Sequence, residues 1–313
     1  MKLKNILLLT SILTVPTIIN HAIFNKANED KTNEKNHIRF NNYYKWRFGK
    51  IYYNKKGSGT PLLLIHDTLP GSGSHEWNKA IDPLSKYYTV YSLDLLGYGY
   101  SDKPKITYSP YLYISLLNDF IQNVIKDKVY VVANGNSSSF TILTNAFNSG
   151  LFNKMILVSP KGFYKNKNDS KYNPLKKYIL ESPILGTSIY VMLTSKAAQK
   201  FYIPKYVNDK SNISKKRINE YYKSAHYKGV NSKFSNAAYL ANYLDTDISK
   251  HMKSIKSPIH VIWGANDELN PIDGFNVIAD YAPHASLTVF EDTKSAPHIE
   301  NPQAFSKVCK VFL

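Results

Sequence analysis

The sequence predicts an α/β fold, a mostly parallel sheet flanked by helices, with an inserted helical cap. From about residue 38, short apolar runs that suit buried strands alternate with stretches that space apolar residues every three or four positions, the pattern of β-α-β units. The interval 161–250 breaks that alternation, being rich in Lys and Tyr, helical in pattern and without strand runs. A chain of 313 residues, 43% hydrophobic and 20% charged, can bury the core of one large α/β domain, and wholesale disorder is excluded.

The elements follow in order. Residues 6–19, ILLLTSILTVPTII, carry no charge and follow Lys2 and Lys4. Continued to Phe24, the stretch gives about 20 residues, roughly 30 Å as a helix, enough to cross a bilayer. Residues 1–24 are therefore expected to be a membrane anchor or signal segment. The implied location is the cell membrane, with lipid contact through this segment; the alternative is secretion after cleavage. Residues 25–37, NKANEDKTNEKNH, read as a polar tether.

Residues 38–160 read as the first part of the core. IYYN at 51–54 and PLLLIH at 61–66 flank KKGSGT and are expected to form an early hairpin. Strands are expected at 87–94, 129–133 and 154–159, and helices over 112–125 and roughly 138–148. After the cap at 161–250, residues 251–313 resume the core with strands at 258–264 and 287–292, a helix around 272–281 and a closing helix from Pro302.

The formal charge is +17, unevenly placed: residues 161–250 hold 17 Lys/Arg against 6 Asp/Glu, while residues 61–160 balance at 7 and 7. Base-edge reading leans on Arg, and Arg39, Arg47 and Arg217 are the only arginines, so nucleic acid is not expected as a partner. The lone Cys309 excludes an internal disulfide, and the absence of Cys/His spacing leaves no metal motif to pursue.

Four segments carry chemistry: LLLIHDT at 62–68, LDLLGYGYSDKP at 93–104, WGANDELNP at 263–271 and APHIENPQAF at 296–305. On them, the chain from about residue 40 to 313 resembles the α/β-hydrolase superfamily. The block KWRFGKIYYNKKGSGTPLLLIHDTLPGSG is also similar to membrane-anchored, uncharacterised α/β hydrolases of low-GC Gram-positive bacteria. The resemblance implies a hydrolase of small carboxylic-ester or related acyl substrates, working without a cofactor. It makes Asp267 the triad acid and His298 the triad base, in the chain order of that fold. Asp94 is expected to pack and cap rather than catalyse.

A serine hydroxyl is a weak nucleophile, so an imidazole must take its proton and a carboxylate must fix that imidazole's tautomer. The superfamily's nucleophile turn, G-x-S-x-G, is matched poorly by VVANGNSSSF at 131–140, which reads in two frames. In one, Gly135 holds the nucleophile position between Ala133 and Ser137 and supplies no nucleophile. In the other, Gly135-Asn136-Ser137-Ser138-Ser139 reads as G-x-S-x-S with Ser137 nucleophilic, provided the strand runs longer and the helix starts later. The three serines also suit helix capping. Oxyanion donors are expected at the backbone N–H of Thr68 and of Ser138 in the Ser137 frame, or of Asn136 in the Gly135 frame. Asp67 stands where the superfamily has glycine, and a carboxylate aimed at an oxyanion opposes acyl transfer. On this reading His298→Ala abolishes ester hydrolysis and barely changes the melting temperature, as expected for a loop imidazole.

Overall fold

Strand alternation divides the core into two apolar layers. Leu62, Leu64, Val132 and Ile156 join one cluster, while Leu63, Ile65, Val131 and Leu157 join the other, so both faces of the sheet are covered. These facts come from a computed structural model that describes residues 42–163 and 171–313.

Among the described residues, eight strands form one sheet: β1 Tyr43–Trp46, β2 Gly49–Lys56, β3 Thr60–Ile65, β4 Tyr88–Leu93, β5 Val129–Asn134, β6 Phe152–Val158, β7 Ile259–Gly264 and β8 Ser286–Phe290. Their order is β1-β2-β4-β3-β5-β6-β7-β8. The β1–β2 and β2–β4 pairings are antiparallel and the rest parallel. The expected hairpin of 51–54 with 61–66 does not form. β2 pairs with β1 and β4, while β3 lies between β4 and β5, because its run of four fully buried residues, Leu62 to Ile65, needs cover on both faces.

The helices are α1 Asn78–Leu84, α2 Pro110–Phe120, α3 Ser137–Phe147, α4 Pro174–Glu181, α5 Leu185–Thr194, α6 Lys196–Tyr202, α7 Lys215–His226, α8 Ser232–Leu240, α9 Ser249–Met252, α10 Gly274–Tyr281, α11 Pro297–Glu300 and α12 Pro302–Phe312. Local chemistry sets several starts. Ser109 accepts the Leu112 N–H ahead of Pro110, and Asn301 accepts the Ala304 N–H ahead of Pro302, each a side-chain cap followed by proline in the first turn. The helix expected over 112–125 ends earlier, at Phe120, and continues as a wider π turn over Ile121–Ile125. Helices α4 to α9 fill the interval between β6 and β7, and no strand lies there among the described residues.

The location expected from residues 1–24 is corrected. Among the described residues no helix is long and apolar enough to cross a membrane. Residues 1–24 and the tether at 25–37 lie outside the described residues, so the single-pass placement and its lipid contact are withdrawn.

Candidate active site

The parallel strands deliver their C-terminal ends to one rim, where loops gather functional side chains. β5 ends at Asn134 and α3 begins at Ser137, so the sharp turn falls on Gly135. Its φ of 56° lies in the left-handed region that glycine enters without a Cβ penalty. The longer strand and later helix required by the Ser137 frame are not found.

Asp67 fills the space beside Gly135. Its Oδ1 accepts the Thr68 N–H at 2.7 Å and the Asn136 N–H at 2.8 Å. A Cβ on residue 135 would overlap this carboxyl group. The two N–H groups that the Gly135 frame assigns to an oxyanion therefore hold an oxygen of the chain itself. Burial pushes the Asp67 carboxyl above the usual range, while the charge of Lys161 and the two N–H groups oppose that shift. Ahead of it, His66 is structural. Its Nε2 accepts the Leu95 N–H at 3.0 Å, which leaves the proton on Nδ1 to bond the Asp67 carbonyl at 2.5 Å.

The serines are all engaged. Ser137 Oγ is buried and donates to the His66 carbonyl at 2.5 Å. Ser138 Oγ donates to the Ala133 carbonyl at 3.0 Å, and its N–H bonds the Gly135 carbonyl at 3.2 Å rather than facing the rim. Ser139 Oγ donates to the Lys161 carbonyl at 2.7 Å.

Asp267 lies in the loop after β7, and His298 lies in α11, the short helix that follows β8. Asp267 Oδ1 accepts the N–H groups of Leu269 and Asn270, each at 3.0 Å, and the Ser295 hydroxyl at 2.6 Å. Its Oδ2 is buried without a partner among the described residues, and burial pushes this carboxyl up as well. His298 is 0% exposed, and its ring tilts 31° over Trp77 at 4.2 Å between centroids. Among the described residues neither ring nitrogen has a hydrogen-bond partner. Burial, assisted by the positive charge of Arg217, holds the imidazole down at about 3, so it is neutral at pH 7. The loops thus bring Asp267 and His298 to the strand ends without a hydrogen bond between them, and none joins His298 to Ser137.

Three neighbours had no signal of their own in the sequence. Trp77 packs at a tilt against His298, Glu76 is buried and pushed up to about 8 by that burial, and Arg217 projects from α7 with a guanidinium nitrogen that is buried without a partner among the described residues. The joint change at Gly135 and Asp67 was the legible clue, since one position lacks a side chain and the other gains one that fills the same space. Asp94 anchors the loop after β4, accepting the N–H of Ser74 at 2.5 Å and of Tyr100 at 2.7 Å. Among the described residues, no group of three or more His, Cys, Asp or Glu side chains is placed to hold a metal ion.

A family model described as the alpha/beta hydrolase fold matches residues 61–302. A 2-hydroxy-6-oxo-6-(2'-aminophenyl)hexa-2,4-dienoic acid hydrolase from Metapseudomonas resinovorans is 33% identical over 112 residues, which span 35% of this chain and only 39% of that protein. An uncharacterised protein from Mycobacterium tuberculosis is 22% identical over 265 residues, 82% of this chain and 76% of its own. Lipases and pimeloyl-[acyl-carrier protein] methyl ester esterases are further relatives. In structure, a serine hydrolase involved in carbazole degradation superposes with a TM-score of 0.73 at 20% identity, covering 87% of this chain and 97% of that one. These relatives support the superfamily and not the narrower resemblance to anchored proteins of Gram-positive bacteria.

Proposed function

The chain belongs to the α/β-hydrolase fold family, and from that premise we propose that it takes a small organic molecule, of the acyl or ester kind or related to it, at the rim formed by Asp67, Asp267 and His298 without forming an acyl-serine. One observation carries this reading: Gly135 sits at the nucleophile turn, and the Asp67 carboxyl occupies the N–H pair that an acyl substrate's oxygen would need. An ester bound there would meet no hydroxyl at the turn and no free oxyanion donor, and so would lose the largest electrostatic contribution to acyl transfer.

The competing reading keeps Ser137, His298 and Asp267 as a triad, with Thr68 and Ser138 as oxyanion donors. A fluorophosphonate probe separates the two. The expected result is no covalent mass shift on the full-length wild-type chain. A stoichiometric adduct on Ser137, lost in Ser137→Ala, would restore the serine hydrolase and sink the proposal.

A further inference from the structure

Cap helix α7 rests on the loop that follows β3. Ser224 Oγ donates to the Ser72 carbonyl at 2.8 Å and accepts the Gly99 N–H at 3.1 Å, and the Tyr221 ring meets the His75 ring edge-on at 4.7 Å. A Cβ on Gly71 would come within 2.7 Å of the Tyr221 carbonyl oxygen, so loop and helix touch with no side chain between them. Tyr221 also shares an apolar cluster with Ala296 and Ile299, which flank His298 in the chain, so the same helix covers α11.

One side chain in this seat works against it. Glu76 is 5% exposed, and neither carboxyl oxygen has a hydrogen-bond partner among the described residues. An ionised carboxylate held there would be stripped of water with nothing to offset the cost, so the closed seat requires the neutral acid. The surroundings do not change this. The Ser72 and Tyr221 hydroxyls favour the carboxylate slightly without bonding to it, Asp67 opposes ionisation, and none of the groups that act most on Glu76 is a cation. Tyr206, from the segment after α6, faces it as a neutral phenol, and burial keeps His75 beside it and His298 in α11 uncharged. Arg217, one turn before Tyr221 on α7, bears instead on those two histidines.

We propose that the seat of α7 on this loop is a latch worked by one proton: with Glu76 neutral the helix closes over the loop and α11, and loss of that proton lets the middle of the helix lift, admitting water to Glu76 and opening the way to His298. The ends of α7 are tied separately. After the helix, Lys228 Nζ pairs with Asp102 at 2.5 Å, and before it Lys79 Nζ donates to Asn212 Oδ1 at 2.8 Å. Opening is therefore local, the inner face parting from the loop while both ends stay moored. The direction in pH follows from where the proton binds more tightly. Burial raises the closed carboxyl from 4.5 to about 8, and hydration on opening returns it toward 4.5. Closure is thus complete below 4.5, and opening grows by up to about tenfold per pH unit from there to about 8 and then levels off. The latch stands whether or not a serine attacks.

Amide hydrogen exchange of the full-length chain tests it, read as protection factors corrected for the intrinsic rate at each pH. The amides of Tyr221 to Ala225 are expected to lose protection by up to about tenfold per unit between about pH 5 and 8 and little more by about pH 9, while those of β5 and β6 keep theirs. Glu76→Gln has the same shape and no proton to lose, so its α7 protection is expected to stay level across the range. The wild-type arm needs no variant. Wild-type α7 protection that does not change with pH overturns the latch, as does an equal fall in folded Glu76→Gln. A parallel loss in β5 and β6 would assign the effect to global unfolding and overturns it too.

Discussion

The turn after β5 and the loops after β7 and β8 meet at one rim, yet they treat their polar atoms in opposite ways. At the turn, Asp67 Oδ1, the Thr68 and Asn136 N–H groups and the hydroxyls of Ser137, Ser138 and Ser139 all have partners. Across the rim, Asp267 Oδ2 and both His298 nitrogens have none among the described residues, although they too are buried. A satisfied network stabilises one geometry, whereas unpartnered buried groups are retained at a cost and stand ready for a ligand or a proton. The difference teaches that the serine hydroxyls of the turn hold the fold together, while the polar atoms across the rim have no such work among the described residues.

The strongest way to break this comparison is to put a side chain back at the turn. Gly135→Ser forces an L-residue to φ 56° and drives its Cβ into the Asp67 carboxyl, so a loss of about 2–4 kcal/mol is expected from backbone strain and overpacking together. Adding Asp67→Gly removes the overlap, and the pair should couple by about 1–3 kcal/mol, as contacting residues do. Thermal melts of both single variants and the double variant give the cycle. A Gly135→Ser protein that melts like wild type would show that the two groups do not share this space.

The second prediction concerns the other side of the rim. The reading of His298 as a loop imidazole gives an unchanged melting temperature for His298→Ala, but the ring is fully buried against Trp77 and Phe305. Its removal leaves a void, and a loss of about 1–3 kcal/mol is expected, softened by the removal of two unpartnered nitrogens. Denaturant titration of His298→Ala beside His298→Phe checks this; the larger ring should recover part of the loss.

Titration sharpens the contrast further. His75 and His298 are both held at about 3 by burial against an ordinary value of 6.5. The unfolded chain takes these protons first as pH falls, so their contribution is complete above about 6.5 and declines toward 3. Glu76 runs the other way: burial raises it from 4.5 to about 8, so its contribution is complete below 4.5 and is lost as pH rises through 8. Glu76→Gln should remove the alkaline decline and leave the acid one in place. Melting temperatures across pH 4 to 9, roughly the span of these shifts, test both limbs, and an unchanged alkaline limb in Glu76→Gln would mean that another group sets it.

The strands were legible because a parallel sheet covered on both faces needs continuous apolar runs, as in Leu62 to Ile65 and Val129 to Ala133. The hairpin error came from pairing, which periodicity does not encode: the turn at Gly57 and Gly59 looks the same whether the next strand lies adjacent or across β4. At the site, motif order marked Asp267 and His298 for attention, but not their missing partners, which depend on side-chain directions in three dimensions. The ambiguity at residues 135–139 was physical as well, because serine serves equally as nucleophile and as a backbone-bonding group at a helix start.

Ser137 therefore carries the smallest and most discriminating prediction. Its hydroxyl makes one buried hydrogen bond, to the His66 carbonyl, and Ser137→Ala leaves that carbonyl without this donor. A loss of about 1 kcal/mol is expected, the net worth of one such bond. The main chain of residue 137 keeps its place in α3, so the Asp67 carboxyl should remain between the Thr68 and Asn136 N–H groups. Fluorophosphonate treatment should then leave wild type and Ser137→Ala alike without a covalent adduct. A serine nucleophile requires the opposite pattern, in which a small change in stability accompanies complete loss of covalent chemistry. Measuring melting temperature and adduct formation on the same preparation separates a hydroxyl that holds a loop from one that attacks a substrate.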